Sequence, residues 1–132
     1  MTTAPKRILL IEDNADLAYG LRNNLEIEGY HVEVAGDGVK GLSRARATKP
    51  DLVILDLMLP YVSGYQVLIE ARQNAKWRHV PFVVVTARTL EMDAVRALET
   101  GANDFVRKPF LPEEIVARVR RAIDLSRPRS AS

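Results

Sequence analysis

Leu52-Val-Ile-Leu55 is a run of four apolar residues that is followed directly by an acid, Asp56. Its short length and its β-branched residues favour a buried strand over a helix. Three further runs have the same character, and they are Ile8-Leu-Leu-Ile11, Phe82-Val-Val-Val85 and the weaker Phe105-Val106. Tyr30-His-Val-Glu-Val-Ala35 instead alternates apolar and polar residues, which is typical of an edge strand with one face in water. The chain therefore has five predicted strands.

Segments with the spacing of an amphipathic helix separate and follow these strands. Their apolar positions are Leu17, Leu21 and Leu25; Val39, Leu42 and Ala45; Val67, Leu68 and Ala71; Ala94, Val95 and Leu98; and Ile115, Val116, Val119, Ala122 and Ile123. The residues that mark helix ends and turns are Gly29, Gly101, Asp37-Gly38, Ser63-Gly64 and Pro112. Strands that alternate with helices imply a parallel sheet with helices on both faces. We predict an α/β fold, a (βα)5 doubly wound parallel sheet with the flavodoxin-like strand order 2-1-3-4-5.

The composition describes an ordinary globular domain. The 132 residues are 47% hydrophobic and 27% charged, which fits a single domain and neither a disordered nor a membrane protein. Cysteine is absent from the sequence, so disulfides, thiolate metal sites and cysteine nucleophiles are excluded. The apolar runs are too short for a signal peptide or a membrane span. We expect a cytoplasmic protein without membrane contact, folded over residues 6–125, with a basic linker or disordered tail at 126–132.

Polar residues stand immediately after four of the predicted strands. Glu12 and Asp13 follow the first strand, Asp56 the third and Thr86 the fourth, and Lys108 lies at the end of the fifth. Because the carboxyl ends of parallel strands meet at one edge of the sheet, these side chains should converge. Clustered carboxylates repel one another, and a hard divalent cation compensates for this. We predict a Mg²⁺ site, with direct ligation by Asp13 and Asp56 and contact through water for Glu12.

The same arrangement suits a phosphoryl group on Asp56. A carboxylate can act as the nucleophile in phosphoryl transfer. The protein must mainly position the groups and stabilise charge, which Mg²⁺ and Lys108 would do, while the Thr86 hydroxyl can donate to a phosphoryl oxygen. Asp56 is therefore the candidate phosphoacceptor, assisted by Thr86 and Lys108.

Each of these residues also has a structural explanation when it is considered alone. Asp13-Asn14 could simply cap the first helix, and Asp56 could be an ordinary turn acid. Thr86 suits a strand or a helix N-cap, Lys108 a solvated loop, and Phe105 the core. Their joint placement at one end of one sheet favours a common site.

Four stretches together resemble the receiver domains of response regulators in two-component signalling. They are Ile8-Leu-Leu-Ile-Glu-Asp-Asn14; Asp51-Leu-Val-Ile-Leu-Asp-Leu-Met-Leu-Pro60 with Ser63-Gly64; Val83-Val-Val-Thr-Ala87; and Gly101-Ala-Asn-Asp-Phe-Val-Arg-Lys-Pro-Phe110. The resemblance implies that Asp56 accepts a phosphoryl group from a sensor histidine kinase or a phosphotransfer protein. It also implies that the Met58 carbonyl is a metal ligand and that the peptide before Pro109 is cis.

The resemblance further implies a switch made of Thr86 and Phe105. The hydroxyl would move toward the phosphoryl group, and the ring would turn into the space released. Phe105 stands where the family often has tyrosine, so a hydrogen bond from that ring to a partner is lost. The change would reach the fourth helix, fifth strand and fifth helix and control an output partner. The domain would thus be a switch and not an enzyme, although it assists its own phosphorylation and dephosphorylation.

The stretch from Gly101 to Ala122 is most similar to receivers of the OmpR/PhoB class of winged-helix transcription regulators. This similarity implies a phosphorylation-dependent homodimer through the fourth helix, fifth strand and fifth helix. The candidate contact residues are Arg96, Asp104, Glu114 and Arg118, with Asp104 pairing with Arg118 across a two-fold axis. The domain itself would not contact DNA, and transcription would be controlled through a C-terminal DNA-binding domain outside these residues.

Other functions fit parts of the sequence. A phosphohydrolase of haloacid-dehalogenase type also uses a nucleophilic acid and Mg²⁺, but it expects acids where Met58, Pro109 and Phe110 stand. A nucleotide or flavin module would need a glycine-rich phosphate loop where Glu12 and Asp13 stand. The late arginines lack the interleaved aromatic residues of a site that stacks bases. The alternative that keeps the fold is a phosphate-independent receiver-like interaction module.

Overall fold

The computed structural model describes residues 4–87 and 91–126, and these residues form one five-stranded sheet with helices on both faces. The strands are β1 (Arg7–Ile11), β2 (His31–Ala35), β3 (Leu52–Leu55), β4 (Phe82–Thr86) and β5 (Asp104–Arg107). The helices are α1 (Ala15–Ile27), α2 (Gly38–Thr48), α3 (Gly64–Gln73), α4 (Glu91–Thr100) and α5 (Pro112–Ser126). All strand pairs are parallel, in the order β2-β1-β3-β4-β5. The predicted fold class and strand order are confirmed.

The sheet separates two apolar layers. β3 and β4 are buried along their whole length, as strands covered on both faces must be. α2, α3 and α4 cover one face, where they bury Leu42, Leu68 and Ala97. α1 and α5 cover the other face, where they bury Leu21 and Ile115. With both faces covered, the carboxyl edge of the sheet is left for polar side chains.

Short polar side chains begin the first three helices. Asn14, Asp37 and Ser63 each accept a hydrogen bond from a backbone N–H three residues further on, over 3.1, 2.8 and 3.2 Å. Of the pair Asp13-Asn14, Asn14 is therefore the residue that caps α1. Gly29 and Gly101 follow α1 and α4 with φ of 97° and 122°, a conformation that favours glycine. The predicted turn and end positions therefore fix where these helices begin and end.

α4 presents a different face to the sheet from the one that its apolar spacing indicates. Its helical periodicity is confirmed, yet Val95 and Leu98 are 43% and 49% exposed. The buried residues are Ala97 and the acid Asp93. The hydroxyl of Tyr65 on α3 donates to the buried Asp93 carboxylate over 3.2 Å, which offsets part of the cost of burying this acid. As a result, α4 turns an apolar stripe outward.

α5 extends one residue into the predicted tail, since its last residue is Ser126. The remainder of that tail, residues 127–132, lies outside the described residues. Across the two described ranges, every helix is too short or too polar to cross a membrane.

Candidate functional site

Three carboxylates meet at the carboxyl ends of β1 and β3. Glu12 and Asp13 follow β1, and Asp56 follows β3. One carboxylate oxygen from each residue lies within 4.8 Å of the other two. Glu12 and Asp56 are buried, with 3% and 4% exposure, whereas Asp13 is exposed. The predicted convergence of these acids is therefore present in the fold, and Asp13 forms its solvent side.

Lys108 binds two of the acids at once. Its Nζ donates to Glu12 Oε1 over 2.6 Å and to Asp56 Oδ2 over 2.7 Å. Its backbone N–H donates to the carbonyl of Thr86 over 2.9 Å, which ties the segment after β5 to the end of β4. The peptide between Lys108 and Pro109 is cis, as the resemblance implied. The lysine is thus held at both its backbone and its side chain.

The loop after β3 supplies a second hydrogen bond to the Asp56 carboxylate, in addition to the one from Lys108. The backbone N–H of Met58 donates to Asp56 Oδ1 over 2.9 Å, so both carboxylate oxygens accept hydrogen bonds. The loop closes where Gly64 begins α3. A Cβ on Gly64 would press against the Asp56 carbonyl and lie 2.6 Å from the Leu57 Cα. Only glycine allows this close approach. The sequence predicted a turn at Ser63-Gly64, but it did not show that the turn requires glycine.

Burial and hydrogen bonding in the site shift the pKa values of Glu12 and Lys108. Burial raises the pKa of the Glu12 carboxyl, and the Asp56 charge adds to this rise, while the hydrogen bond from Lys108 opposes it. Burial alone would lower the pKa of Lys108, but hydrogen bonds to Asp56 and Glu12 outweigh burial and raise it. Lys108 therefore stays charged at neutral pH. Its ammonium binds Glu12 and Asp56, while Asp13 completes a cluster of three acids.

The donor set fits a hard divalent cation. With all three acids ionised, the charges of Glu12, Asp13, Asp56 and Lys108 sum to −3 + 1 = −2, which one Mg²⁺ would neutralise. Mg²⁺ prefers oxygen ligands, and the cluster offers carboxylate oxygens within 4.8 Å of one another. Ligation by Asp13 and Asp56, a water-mediated contact from Glu12 and a bond from the Met58 carbonyl stay predictions.

Thr86 and Phe105 lie on the same side of the sheet. Thr86 ends β4 and is fully buried. Val84 pairs with Phe105 in the register of β4 and β5, and Thr86 is two residues beyond Val84, so all three project from one face. Phe105 is half-buried and packs against the layer that α2, α3 and α4 cover. The predicted coupling pair therefore shares the face on which α4 lies.

The residues of the predicted dimer face make contacts within the chain. Arg118 Nη1 donates to both carboxylate oxygens of Asp104 over 2.8 and 2.9 Å, and its Nε donates to Glu114 over 3.2 Å. The Arg96 guanidinium lies 3.9 Å from the centre of the Tyr65 ring. Asp104 and Arg118 thus pair inside one molecule, and their pairing between two molecules stays a prediction.

Known proteins match the chain over most of its length. The family model for the response regulator receiver domain matches residues 8–120. The DNA-binding response regulator MtrA of Mycobacterium tuberculosis is 46% identical over 120 residues, which are 91% of this chain and 51% of MtrA. The alkaline phosphatase synthesis transcriptional regulatory protein PhoP of Bacillus subtilis is 42% identical over 115 residues, which are 87% of this chain and 47% of PhoP. The chain thus spans about half the length of these curated relatives.

Solved structures have the same fold. A CheY-like response regulator receiver domain protein from Methanospirillum hungatei superimposes with a TM-score of 0.87 at 26% identity, covering 92% of this chain and 96% of that one. The BeF3-activated N-terminal receiver domain of Klebsiella pneumoniae RstA gives a TM-score of 0.83 at 29% identity, covering 89% of this chain and 98% of that one. The likeness extends over the sheet and its helices.

Proposed function

Because the chain belongs to the response regulator receiver domain family, it is a phosphorylation switch domain of two-component signalling, and we propose that Asp56 is its phosphoacceptor. The observation that carries this proposal is the position of its carboxylate. Asp56 is buried beyond β3, its Oδ2 lies 2.7 Å from Lys108 Nζ, and it clusters with Glu12 and Asp13. An acid so placed has the Lys108 ammonium beside it and two further carboxylates with which it could hold a metal ion.

We propose that the phosphoryl group comes from a phosphohistidine on a sensor histidine kinase or a phosphotransfer protein. A carboxylate oxygen of Asp56 forms the new bond to phosphorus while the bond from phosphorus to the donor nitrogen breaks, and its electron pair stays on the imidazole. Lys108 and the Thr86 hydroxyl would donate to the phosphoryl oxygens. Bound Mg²⁺, held by Asp13, Asp56 and the Met58 carbonyl, would supply positive charge to those oxygens. The domain would in this way assist its own phosphorylation and dephosphorylation.

The proposed relay starts from Thr86. Its hydroxyl would move toward the phosphoryl group, and the Phe105 ring would turn inward. The shared face of Thr86 and Phe105, with α4 packed on that side of the sheet, supports this path. The output surface would be formed by α4, β5 and α5, where a homodimer would assemble after phosphorylation.

The output that we propose is transcription. MtrA is named a DNA-binding response regulator and PhoP a transcriptional regulatory protein. By extension from these relatives, this receiver would control a DNA-binding domain beyond its own residues and would make no DNA contact itself.

Phosphorylation by a small donor tests the assignment of Asp56. After incubation with acetyl phosphate and Mg²⁺, intact-mass measurement should find one added phosphoryl group on the wild-type chain and none on Asp56→Asn, because the amide is a much poorer nucleophile. Asp51→Asn is the matched control, since Asp51 lies at the other end of β3 and binds the Arg7 N–H. Equal phosphorylation of the Asp56→Asn and wild-type chains would refute the proposal.

A further inference from the structure

Residues Pro60, Tyr61 and Val62 form a strained turn in the loop between β3 and α3. The N–H of Val62 donates to the carbonyl of Pro60 over 2.9 Å, and Tyr61 between them has a φ of 70°. A hydrogen bond over two residues with a positive φ at the centre defines the rarer, strained form of the γ-turn. Among residues with bulky side chains, a positive φ is uncommon and energetically costly.

The packing on either side of Tyr61 fixes this loop. A Cβ on Gly38, the first residue of α2, would lie 2.7 Å from the Val62 carbonyl oxygen and 2.9 Å from the Val62 Cβ. A Cβ on Gly64 would meet the backbone of Asp56 and Leu57. Two glycines therefore let the loop lie directly against its neighbours, and the strain falls on Tyr61.

The strained turn does not bury the tyrosine. The Tyr61 side chain is 89% exposed, and Met58 in the same loop is 55% exposed. Contacts with the core therefore do not offset the strain in the turn. Strain at a position that projects an aromatic side chain into solvent indicates a function outside the folded chain. Tyrosine is among the residues that contribute most to protein interfaces.

Tyr61 lies in the loop that follows Asp56, close to where a protein phosphodonor must dock. It precedes Gly64 by three residues, which span at most about 11 Å, and Gly64 packs against the Asp56 backbone. A protein that docks over Asp56 buries on the order of 800 Å² of this chain, a patch about 16 Å in radius. An exposed ring at this distance is within reach of a protein that docks over Asp56.

We propose that Tyr61 is a docking residue for the protein that phosphorylates this domain, and that its ring packs on an apolar patch beside the donor's phosphohistidine. The proposal rests on the proposed function of Asp56. The proposal predicts a different effect of Tyr61 for each of two classes of donor. A protein donor contacts Tyr61, whereas acetyl phosphate enters the acidic site and does not.

The test compares phosphorylation by these two classes of donor. The protein donor is the autophosphorylated core of a sensor histidine kinase, selected from a panel as the fastest donor to the wild-type chain. Tyr61→Gly and Tyr61→Asn suit the positive φ and remove the ring, so both should fold. We expect both variants to slow phosphotransfer from the kinase by about tenfold at subsaturating concentration, and to leave the acetyl phosphate rate within about twofold of wild type. Tyr61→Phe should retain the kinase rate.

Ile27→Asn is the matched control, because Ile27 is 82% exposed at the end of α1, at the opposite edge of the sheet. It should transfer at the wild-type rate. A Tyr61→Gly variant that accepts phosphoryl from the kinase at the wild-type rate would overturn the docking role. An equal loss with acetyl phosphate would also overturn it, since Tyr61 would then act on the site itself. If the wild-type chain accepts phosphoryl from neither donor, the failure lies with Asp56 as phosphoacceptor.

Discussion

Lys108 is the cation that binds two of the three acids at this site. Its ammonium donates two short hydrogen bonds, to Glu12 and to Asp56. Charge-assisted hydrogen bonds of this kind are roughly twice as strong as those between neutral groups. The ammonium nevertheless offsets one of three carboxylate charges. Asp13 is the exposed acid, so it can be changed with the least effect on packing.

We expect Asp13→Asn to weaken Mg²⁺ binding by at least about tenfold, since even residues behind a metal ligand usually contribute that much. The amide replaces an anionic oxygen with a neutral one. In Mg²⁺-free buffer the same change should raise the melting temperature, because it removes a charge that repels Asp56. Calorimetric titration and thermal unfolding measure the two effects.

Asp16→Asn is the control for this experiment. Asp16 is exposed in the first turn of α1 and does not belong to the acid cluster. Its variant should bind Mg²⁺ as the wild-type chain does. If the titration curves of Asp13→Asn and Asp16→Asn coincide, Asp13 is not a ligand.

Among the elements, α4 contacts α3 through Asp93 and Arg96, while its apolar stripe faces outward. Tyr65 donates its hydroxyl to the carboxylate and carbonyl of Asp93, both over 3.2 Å, and Arg96 covers the same ring. Ala97, which is fully buried, is too small to bury much apolar area. An element with few buried apolar contacts can move at low energetic cost. This property suits the helix that would respond to Thr86.

In contrast to α4, the end of α3 is fixed to its neighbours by several hydrogen bonds from one side chain, Arg72. Arg72 donates to the Gly101 carbonyl over 2.8 and 3.0 Å and to the Val80 carbonyl over 2.8 Å. Its guanidinium also lies 5.0 Å from the centre of the Phe82 ring. Burial lowers the pKa of Arg72, although the group stays charged. One side chain thereby fixes the loops that precede β4 and β5.

Arg72→Ala should lower the free energy of unfolding by roughly 2–4 kcal/mol, because hydrogen bonds from a charged group are lost and carbonyl oxygens lose their partner. Urea unfolding followed by the fluorescence of Trp77, the single tryptophan, measures this change. Arg46→Ala is the control, since that side chain is 62% exposed and lies 3.9 Å from Glu70. It should change stability by less than about 0.5 kcal/mol. Equal stability of the two variants would contradict the role of Arg72.

The sequence predicted the contacts that follow from sheet topology. Asp56 and Lys108 are 52 positions apart, yet both were expected at one edge because apolar runs mark the strands and parallel strands align their ends. Arg72 was not predicted, since its partners are mainly backbone carbonyls, which every residue type has. The positive φ of Tyr61 was also not predicted, because tyrosine ordinarily avoids it. The outward stripe of α4 depends on Tyr65, a contact that periodicity does not encode.

At the scale of the whole molecule, the proposed homodimer would use α4, β5 and α5. The outward stripe of α4 consists of Met92, Val95 and Leu98, which are 71%, 43% and 49% exposed. Burial of apolar surface contributes about 25 cal/mol per Å², whereas an exposed ion pair contributes only about 0–1 kcal/mol. The stripe would therefore supply most of the affinity, and the ion pairs would set the orientation.

Charge reversal alone cannot distinguish a pair between two chains from the pair seen within one. Asp104→Arg and Arg118→Asp each break the contact in either arrangement, and the double variant restores it in either. A mixture of the two single variants separates the cases. In a mixed dimer both pairs between the chains are attractive, while the pair within each chain is repulsive.

We expect each single variant, activated with beryllofluoride, to dimerise about 30-fold more weakly than the wild-type chain, since the symmetric contact occurs twice and each loss is roughly 1 kcal/mol. The equimolar mixture of Asp104→Arg and Arg118→Asp should recover most of this affinity, as measured by analytical ultracentrifugation. If the mixture dimerises as weakly as each variant alone, the ion pair does not form between chains. Arg118 then binds Asp104 of its own chain, as in this structure, over 2.8 Å. If the wild-type chain sediments as a monomer at high concentration with and without beryllofluoride, the proposed homodimer is wrong. The two tests answer different questions, because the apolar stripe of α4 can hold a dimer in which each Asp104–Arg118 pair stays within its own chain.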